Sequence, residues 1–384
     1  MASPPNSPQL TIDVVELNGH APRPFVFTEA ALCLRDSIRA AGLGSNHYVN
    51  VADADSICIV LGALPPLLEP LEQLDPRKTM IFNLEQLGST SAVISADYVN
   101  WLRNRLVLDY HSHNVEHLRR ANGPAQQALE LPIVPSASLL FRPDLPAEKT
   151  VDVLFFGSLN ERRAYLLRQL EDAGLRVESV AGAYADELAP AIRRARVVLH
   201  AHFYDTGLFP VTRILQPIAQ GVPIVCETSA MSAHSDWSGS GIVFAPFDGL
   251  ADACRALLLS QAEQRARAEQ AQRFAAQLDF AGPLESVLQA LAARLGAPRR
   301  PAPPRLIDPP RPAPHSGAAA DATLPTEEIE AILAREAGGL PPPADLDAAP
   351  LALVQRQPGQ GRLGRWLVWL LIAFSVASVI QAMR

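Results

Sequence analysis

VDVLFFGSLNERRAYLLRQLEDAGLRVESV, residues 151–180, is the stretch on which the fold turns. Its first six residues are apolar apart from Asp152, which suits a strand buried on both faces of a parallel sheet. Gly157 and Ser158 then turn the chain into a helical pattern over Glu161 to Ala173, and Gly174 ends it. A second strand-like run, LRVESV, follows. Strand, turn, helix and strand in that order make a βαβ unit.

The alternation continues in both directions. Downstream, Asp186–Arg194 reads as helix, ARVVLHAHF as strand, Pro210–Gln220 as helix and VPIVCE as strand, with helical patterns over 249–294. Upstream, LTIDVVEL, His47–Val51, SICIVLGA, TMIFNLEQ and LVLDYH read as strands, with helical patterns at Thr28–Ala41, Asp97–Arg103 and from Asn114. Two successive α/β units result, with a seam of prolines and charges near Arg142–Thr150. The expected organisation is a disordered N-terminus over 1–9, one Rossmann-like domain over 10–148 and a second over 149–295. A Pro-rich linker over 296–365 follows, with a short helix near 326–336, and then a transmembrane helix over 366–383.

The last expectation rests on WLVWLLIAFSVASVIQAM, an uncharged run long enough to span a hydrocarbon core. Two Trp at its start suit the membrane interface, and Arg356, Arg362 and Arg365 before it put the preceding domains on the cytoplasmic side. The polar, Pro-rich Met1–Pro8 lacks the pattern of a secretory signal. The reading is a single-pass C-terminal anchor in the inner membrane. A formal charge of −7 offers no basic field for nucleic acid. Cys33, Cys58, Cys226 and Cys254 form no CxxC pair and read as buried thiols in a reducing compartment. His113 and His117 stand i, i+4, but no HExxH or companion ligand has motif spacing, so no metal site is expected.

Candidate site residues cluster where strands end. The amides of Gly157 and Ser158, at the entrance of a helix that Asn160 can cap, suit a diphosphate, and Arg162 or Arg163 adds positive charge. His202 and Tyr204 end a buried strand, and ligands of open α/β sheets collect at carboxyl ends of strands. Phe203 between them reads as core. Arg213 and Gln216 share one helix face, and the fixed fork of an arginine matches a diphosphate. Glu227, at the next strand end, either faces the same ligand or is an ordinary polar terminus. In the first unit Glu85 and Asp109 end strands, where a carboxylate can deprotonate a hydroxyl, and Glu85 is the stronger choice. His234 and Asp236 lie in a Ser/Gly-rich loop that reads as a lid or as plain surface.

Residues 152–178 and 195–227 together resemble the donor-binding half of GT-B glycosyltransferases of the group-1-like bacterial branch. IFNLEQL (81–87) and LDYHSHNVEHL (108–118) resemble its acceptor side. The resemblance implies two Rossmann-like domains facing a cleft and transfer from a nucleotide-diphosphate sugar, a co-substrate, with no cofactor. Many members place a glutamate for the donor ribose where this chain has Gln216, and often an acid where it has Pro210. The implied partners are the nucleotide sugar, a sugar, lipid-linked or envelope acceptor, and the membrane. The 326–336 helix is either a transient linker helix or a docking element for a protein partner. Two rivals stay open: a catalytically inactive GT-B module acting as a scaffold, and a sugar-phosphate isomerase or epimerase of similar architecture.

Overall fold

A computed structural model describes residues 10–18, 26–53, 56–64, 68–88, 96–141, 148–204, 207–228, 237–296 and the pair 354–355. The N-terminal 1–9, the Pro-rich linker apart from Gly296 and the pair 354–355, its 326–336 helix, the 366–383 span and His234 and Asp236 lie outside the described residues. Among the described residues no helix is long and apolar enough to cross a membrane.

The first unit runs β1 (Ile12–Glu16), α1 (Thr28–Ala40), β2 (His47–Val49), β3 (Val51–Ala52), β4 (Ile57–Leu61), β5 (Thr79–Asn83), α2 (Ala96–Trp101), β6 (Leu106–Asp109), α3 (Ser112–Asn122) and β7 (Gln127–Glu130). The second runs β8 (Val151–Phe156), α4 (Glu161–Asp172), β9 (Val177–Val180), α5 (Ala185–Arg194), β10 (Ala195–His200), α6 (Val211–Ala219), β11 (Ile224–Glu227), β12 (Val243–Ala245), α7 (Leu250–Leu258), α8 (Gln261–Ala275) and α9 (Ala281–Gly296). A last short strand, β13 (Val354–Gln355), pairs with β3.

Both main sheets are wholly parallel, in orders β2-β1-β4-β5-β6-β7 and β12-β11-β10-β8-β9. The apolar runs explain this, since a strand with no polar face must be covered on both sides. Val15, Val60, Ile81 and Val107 face one layer of helices, and Ile12, Ile59, Phe82 and Leu108 face another. The second layer is continuous with the side chains of Leu154, Phe156, Val198 and Ile224 from the other sheet, so the two units share one core. All four cysteines are buried.

Strands β7 and β12 escape the apolar reading because each is short and half-buried at a sheet edge. Pro217 neither starts nor stops α6, which begins at Val211 behind Pro210 and carries Pro217 in its second turn. The run ARVVLHAHF is strand only to His200, so His202 and Phe203 lie in the loop beyond. Phe203 is 38% exposed there and is not the core residue expected.

In each sheet the chain order reverses once, between β1 and β4 and between β8 and β10. Such a reversal leaves a crevice at the carboxyl ends of the two strands. Helix α9 leaves the second unit and ends against the first, where Arg294 donates to Gln127 Oε1 (2.6 Å), Pro76 O (3.0 Å) and Asn104 O (3.1 Å). Arg294→Ala therefore loosens the α9 anchorage, and urea unfolding should show a loss of about 1–2 kcal/mol. An unchanged midpoint would mean that the anchorage is apolar and rests on Leu288 and Leu291.

Candidate functional site

The second sheet sets its crevice between Gly157 and the residues after β10. Gly157 has φ +126°, a conformation that favours glycine. A Cβ there would lie 3.4 Å from the guanidinium carbon of Arg213. Bare backbone and cation therefore face each other across the turn. Arg213, on the first turn of α6, is half-buried and lies 5.7 Å from the Phe156 ring centroid. Among the described residues no carboxylate lies within ion-pair distance of it. Ser158 is exposed beside this turn.

The neighbouring polar groups are already committed to one another. Asn160 caps α4, its Oδ1 accepting from Arg163 N at 2.9 Å. Arg162 makes a two-pronged ion pair with Glu227, one prong 2.8 Å long, and stacks 3.5 Å from the centroid of Phe247. The Glu227 oxygen of that prong, Oε2, also accepts from His202 N at 2.8 Å. Arg163 is buried and ties β8 to β10, donating to Ser158 O (2.6 Å) and Ala201 O (3.0 Å). Burial, with Arg213 nearby, pulls its pKa down to about 9. Arg162, Glu227 and Arg163 thus brace the crevice, and the charge left for an anion is Arg213.

His202 is 6% exposed, and both its ring nitrogens are buried with no partner among the described residues. Burial lowers its pKa, so the ring is neutral near pH 7. Leaving such a group unpaired costs about 1–3 kcal/mol, which a bound ligand can recover. Its ring meets His200 edge-on at 5.5 Å, and Tyr204 meets Phe203 in the same way at 5.2 Å. Gln216 is 2% exposed and donates from Nε2 to Ala185 O at 2.9 Å, while its Oε1 is buried without a partner.

The first unit presents the loop after β5. Gln86 Oε1 accepts from Leu208 N at 3.3 Å, which brings Glu85 beside the loop after β10. Glu85 is half-buried, and burial raises its pKa. No hydrogen bond or ion pair holds its side chain among the described residues. A proton-accepting carboxylate needs this freedom.

Asp109 differs, and its assignment as a base needs correction. It is wholly buried and accepts from Asn83 Nδ2 (2.6 Å), Asn114 Nδ2 (3.1 Å) and His111 N (2.9 Å). Tyr98 closes the network by donating to Asn83 Oδ1 at 2.9 Å. With no open face and three donors already on it, Asp109 holds β5, β6 and α3 together. His113 and His117 do converge, since both rings lie within 4 Å of a Cβ built on Gly88. Among the described residues no three His, Cys, Asp or Glu are grouped to hold a metal.

Sequence reasoning missed Glu29. Its only signal was an acid in the first turn of α1, which any helix favours. In the fold Glu29 Oε1 crosses to the second unit and accepts from Ala185 N at 2.7 Å.

The stretch that carries the resemblance is matched independently: the family described as glycosyl transferase-like covers residues 145–282. No curated protein matches the chain. Among solved structures, sucrose-phosphate synthase from Thermosynechococcus elongatus is similar at TM-score 0.47 and 12% identity, over 75% of this chain and 99% of that one. WaaG, a glycosyltransferase involved in lipopolysaccharide biosynthesis, is similar at TM-score 0.44 and 12% identity, over 75% and 100%. HepE from Anabaena, solved with UDP and glucose, is similar at TM-score 0.46 and 14% identity, over 74% and 100%.

The two strand-end acids separate in a stability measurement. Asp109→Ala strands three buried donors and should lower stability by roughly 3 kcal/mol. Glu85 has its pKa raised in the folded state, so its stabilising share is complete below the unfolded value and is lost as pH rises through the folded one. Glu85→Gln removes that loss. In urea titrations the variant should match the parent at pH 4 and equal or exceed it at pH 8. A less stable Glu85→Gln at pH 8 would mean that the carboxylate has a partner in the fold.

Proposed function

We propose that this glycosyl transferase-like chain moves a sugar from a nucleotide-diphosphate donor to a lipid-linked or other envelope acceptor at the cytoplasmic face of the inner membrane. The observation that carries the reading is Arg213, a cation without an anion among the described residues, set against the bare backbone of Gly157 at the crevice of the second sheet. A diphosphate supplies the missing charge and accepts from the backbone amides. Gln216, one turn further along the same helix face, fits beside it toward the donor ribose, and His202 offers unpaired ring nitrogens within the crevice. The first unit supplies the acceptor side. There Glu85 is the group suited to take the proton of an attacking hydroxyl, since burial raises its pKa toward the working range of a base. Closing the two units over the donor excludes water and protects it from hydrolysis.

The uncharged run at 366–383 supports a single C-terminal anchor, with the arginines before it on the cytoplasmic side. The Pro-rich stretch gives the tether reach, and the 326–336 segment is suited to docking a protein partner. One observation favours a second reading, a binding module without turnover. The amide of Gln216 is committed to Ala185 O, and a neutral side chain stands where many relatives place a glutamate.

Two measurements test these readings. With the full chain in mild detergent, thermal stabilisation by UDP-, GDP-, dTDP- or ADP-sugars should identify a donor, and nucleotide release should follow with a suitable acceptor. Arg213→Ala should weaken donor binding about ten- to a hundredfold, the range for loss of a charged hydrogen bond. Stabilisation without release across a broad acceptor panel would favour the binding module, and no stabilisation by any nucleotide would remove the donor site. Separately, deleting 362–384 should move the protein from the membrane pellet to the supernatant, and retention in the pellet would refute the single anchor.

A further inference from the structure

Glu29 stands on α1 of the first unit, yet its hydrogen bond is made in the second. It accepts from the amide of Ala185, the first residue of α5. Tyr184, in the N-cap position of that helix, makes no side-chain cap bond, so Glu29 caps α5 from the other unit. Ala185 has φ +49°, a conformation that costs a residue with a Cβ about 1–2 kcal/mol. Two bonds hold it there: Glu29 on its N–H, and Gln216 Nε2 on its carbonyl. The first bond comes from the first unit and the second from the donor half. Separating the units breaks the first and frees the strained residue.

We infer that Glu29 is a positioning residue for the donor crevice and the latch that holds the two units together, acting through Ala185 on Gln216. The groups that face it are Arg213 from α6, Glu16 from β1 with His47 of β2 behind it (3.1 Å), and Cys33 on its own helix. Asp186 on α5 is exposed. Burial dominates this environment and raises Glu29 from its ordinary 4.5 to about 7, with Arg213 opposing the rise and Glu16 adding to it. The latched state therefore favours the protonated acid, whose carbonyl oxygen still accepts from Ala185 N–H. The sign follows: the latch is strongest below pH 4.5 and weakens as pH rises through about 7, because only the open state hydrates the carboxylate. By linkage the closed-to-open ratio falls on the order of a hundredfold between pH 5 and pH 8.

Dye pairs on Glu116→Cys and Asp172→Cys, both exposed positions, report the separation of the two units by energy transfer in the full chain. The native thiols are buried and stay unlabelled. The open fraction of the parent should rise between pH 5 and pH 8. Glu29→Gln, which copies the protonated acid, should stay closed from pH 5 to pH 8. Arg213→Gln removes the charge that favours the carboxylate in the closed state and should increase opening at pH 8. A parent whose separation does not change with pH overturns the latch, and so does a Glu29→Gln variant that opens with the parent's pH dependence. The readout needs no nucleotide, so its failure leaves the donor-site reading standing.

Discussion

Both main sheets are covered on their two faces, and this constraint decides where polar chemistry can sit. The strand interiors admit almost no polar side chain, so polar residues collect at the carboxyl ends. There the low dielectric penalises any group left alone. Most of the strand-end groups answer by pairing. Glu16 accepts from Thr28 Oγ1 (2.9 Å) and contacts His47 (3.1 Å). Asp109 takes three donors, and Glu227 takes Arg162 and the amide of His202. Among the described strand-end groups, pairing leaves over the guanidinium of Arg213, the ring of His202, the carbonyl oxygen of Gln216 and the carboxylate of Glu85. Three of the four lie at the crevice of the second sheet, and the fourth comes from the first unit. A site is recognised here by what the fold does not satisfy.

That rule also shows how much of the site was legible in the sequence. Strand ends are visible as the places where apolar runs stop, so Gly157, His202, Glu85 and Glu227 could all be picked out. Which of them are committed is not visible, because commitment depends on partners far away in the chain. Glu227 meets an arginine 65 residues earlier, and Asp109 meets Asn83 from a different strand. Arg162 and Arg163 are adjacent and look alike in sequence. One stacks on Phe247 and pairs with an acid, while the other is buried among carbonyls. The fold was more legible than the site, since apolar runs and helical spacing are local signals. Its misses, β7 and β12, are edge strands without an apolar run.

The two units are joined by more than the shared core. Arg294 ties the end of α9 to the first unit, and the loops after β5 and β10 meet through Gln86 and Leu208. The Glu29 bond to Ala185 differs from these in kind, because it places an ionisable group inside the contact. Apolar contact and neutral hydrogen bonds hold equally well at any pH near neutrality. A buried carboxylic acid does not, and it ties domain closure to a proton.

Gln216 then has a structural reason to be a neutral amide. Its Nε2 donates to the carbonyl of Ala185, while Glu29 accepts from the N–H of the same residue. An ionised glutamate at 216 has no donor for that carbonyl. It would also bring a second carboxylate to Ala185 beside Glu29, where like charges in a buried contact repel. The neutral amide satisfies the backbone and leaves Arg213 as the opposite charge that faces Glu29. The neutral amide of Gln216 and the carboxylate from the first unit are therefore complementary halves of one arrangement around Ala185.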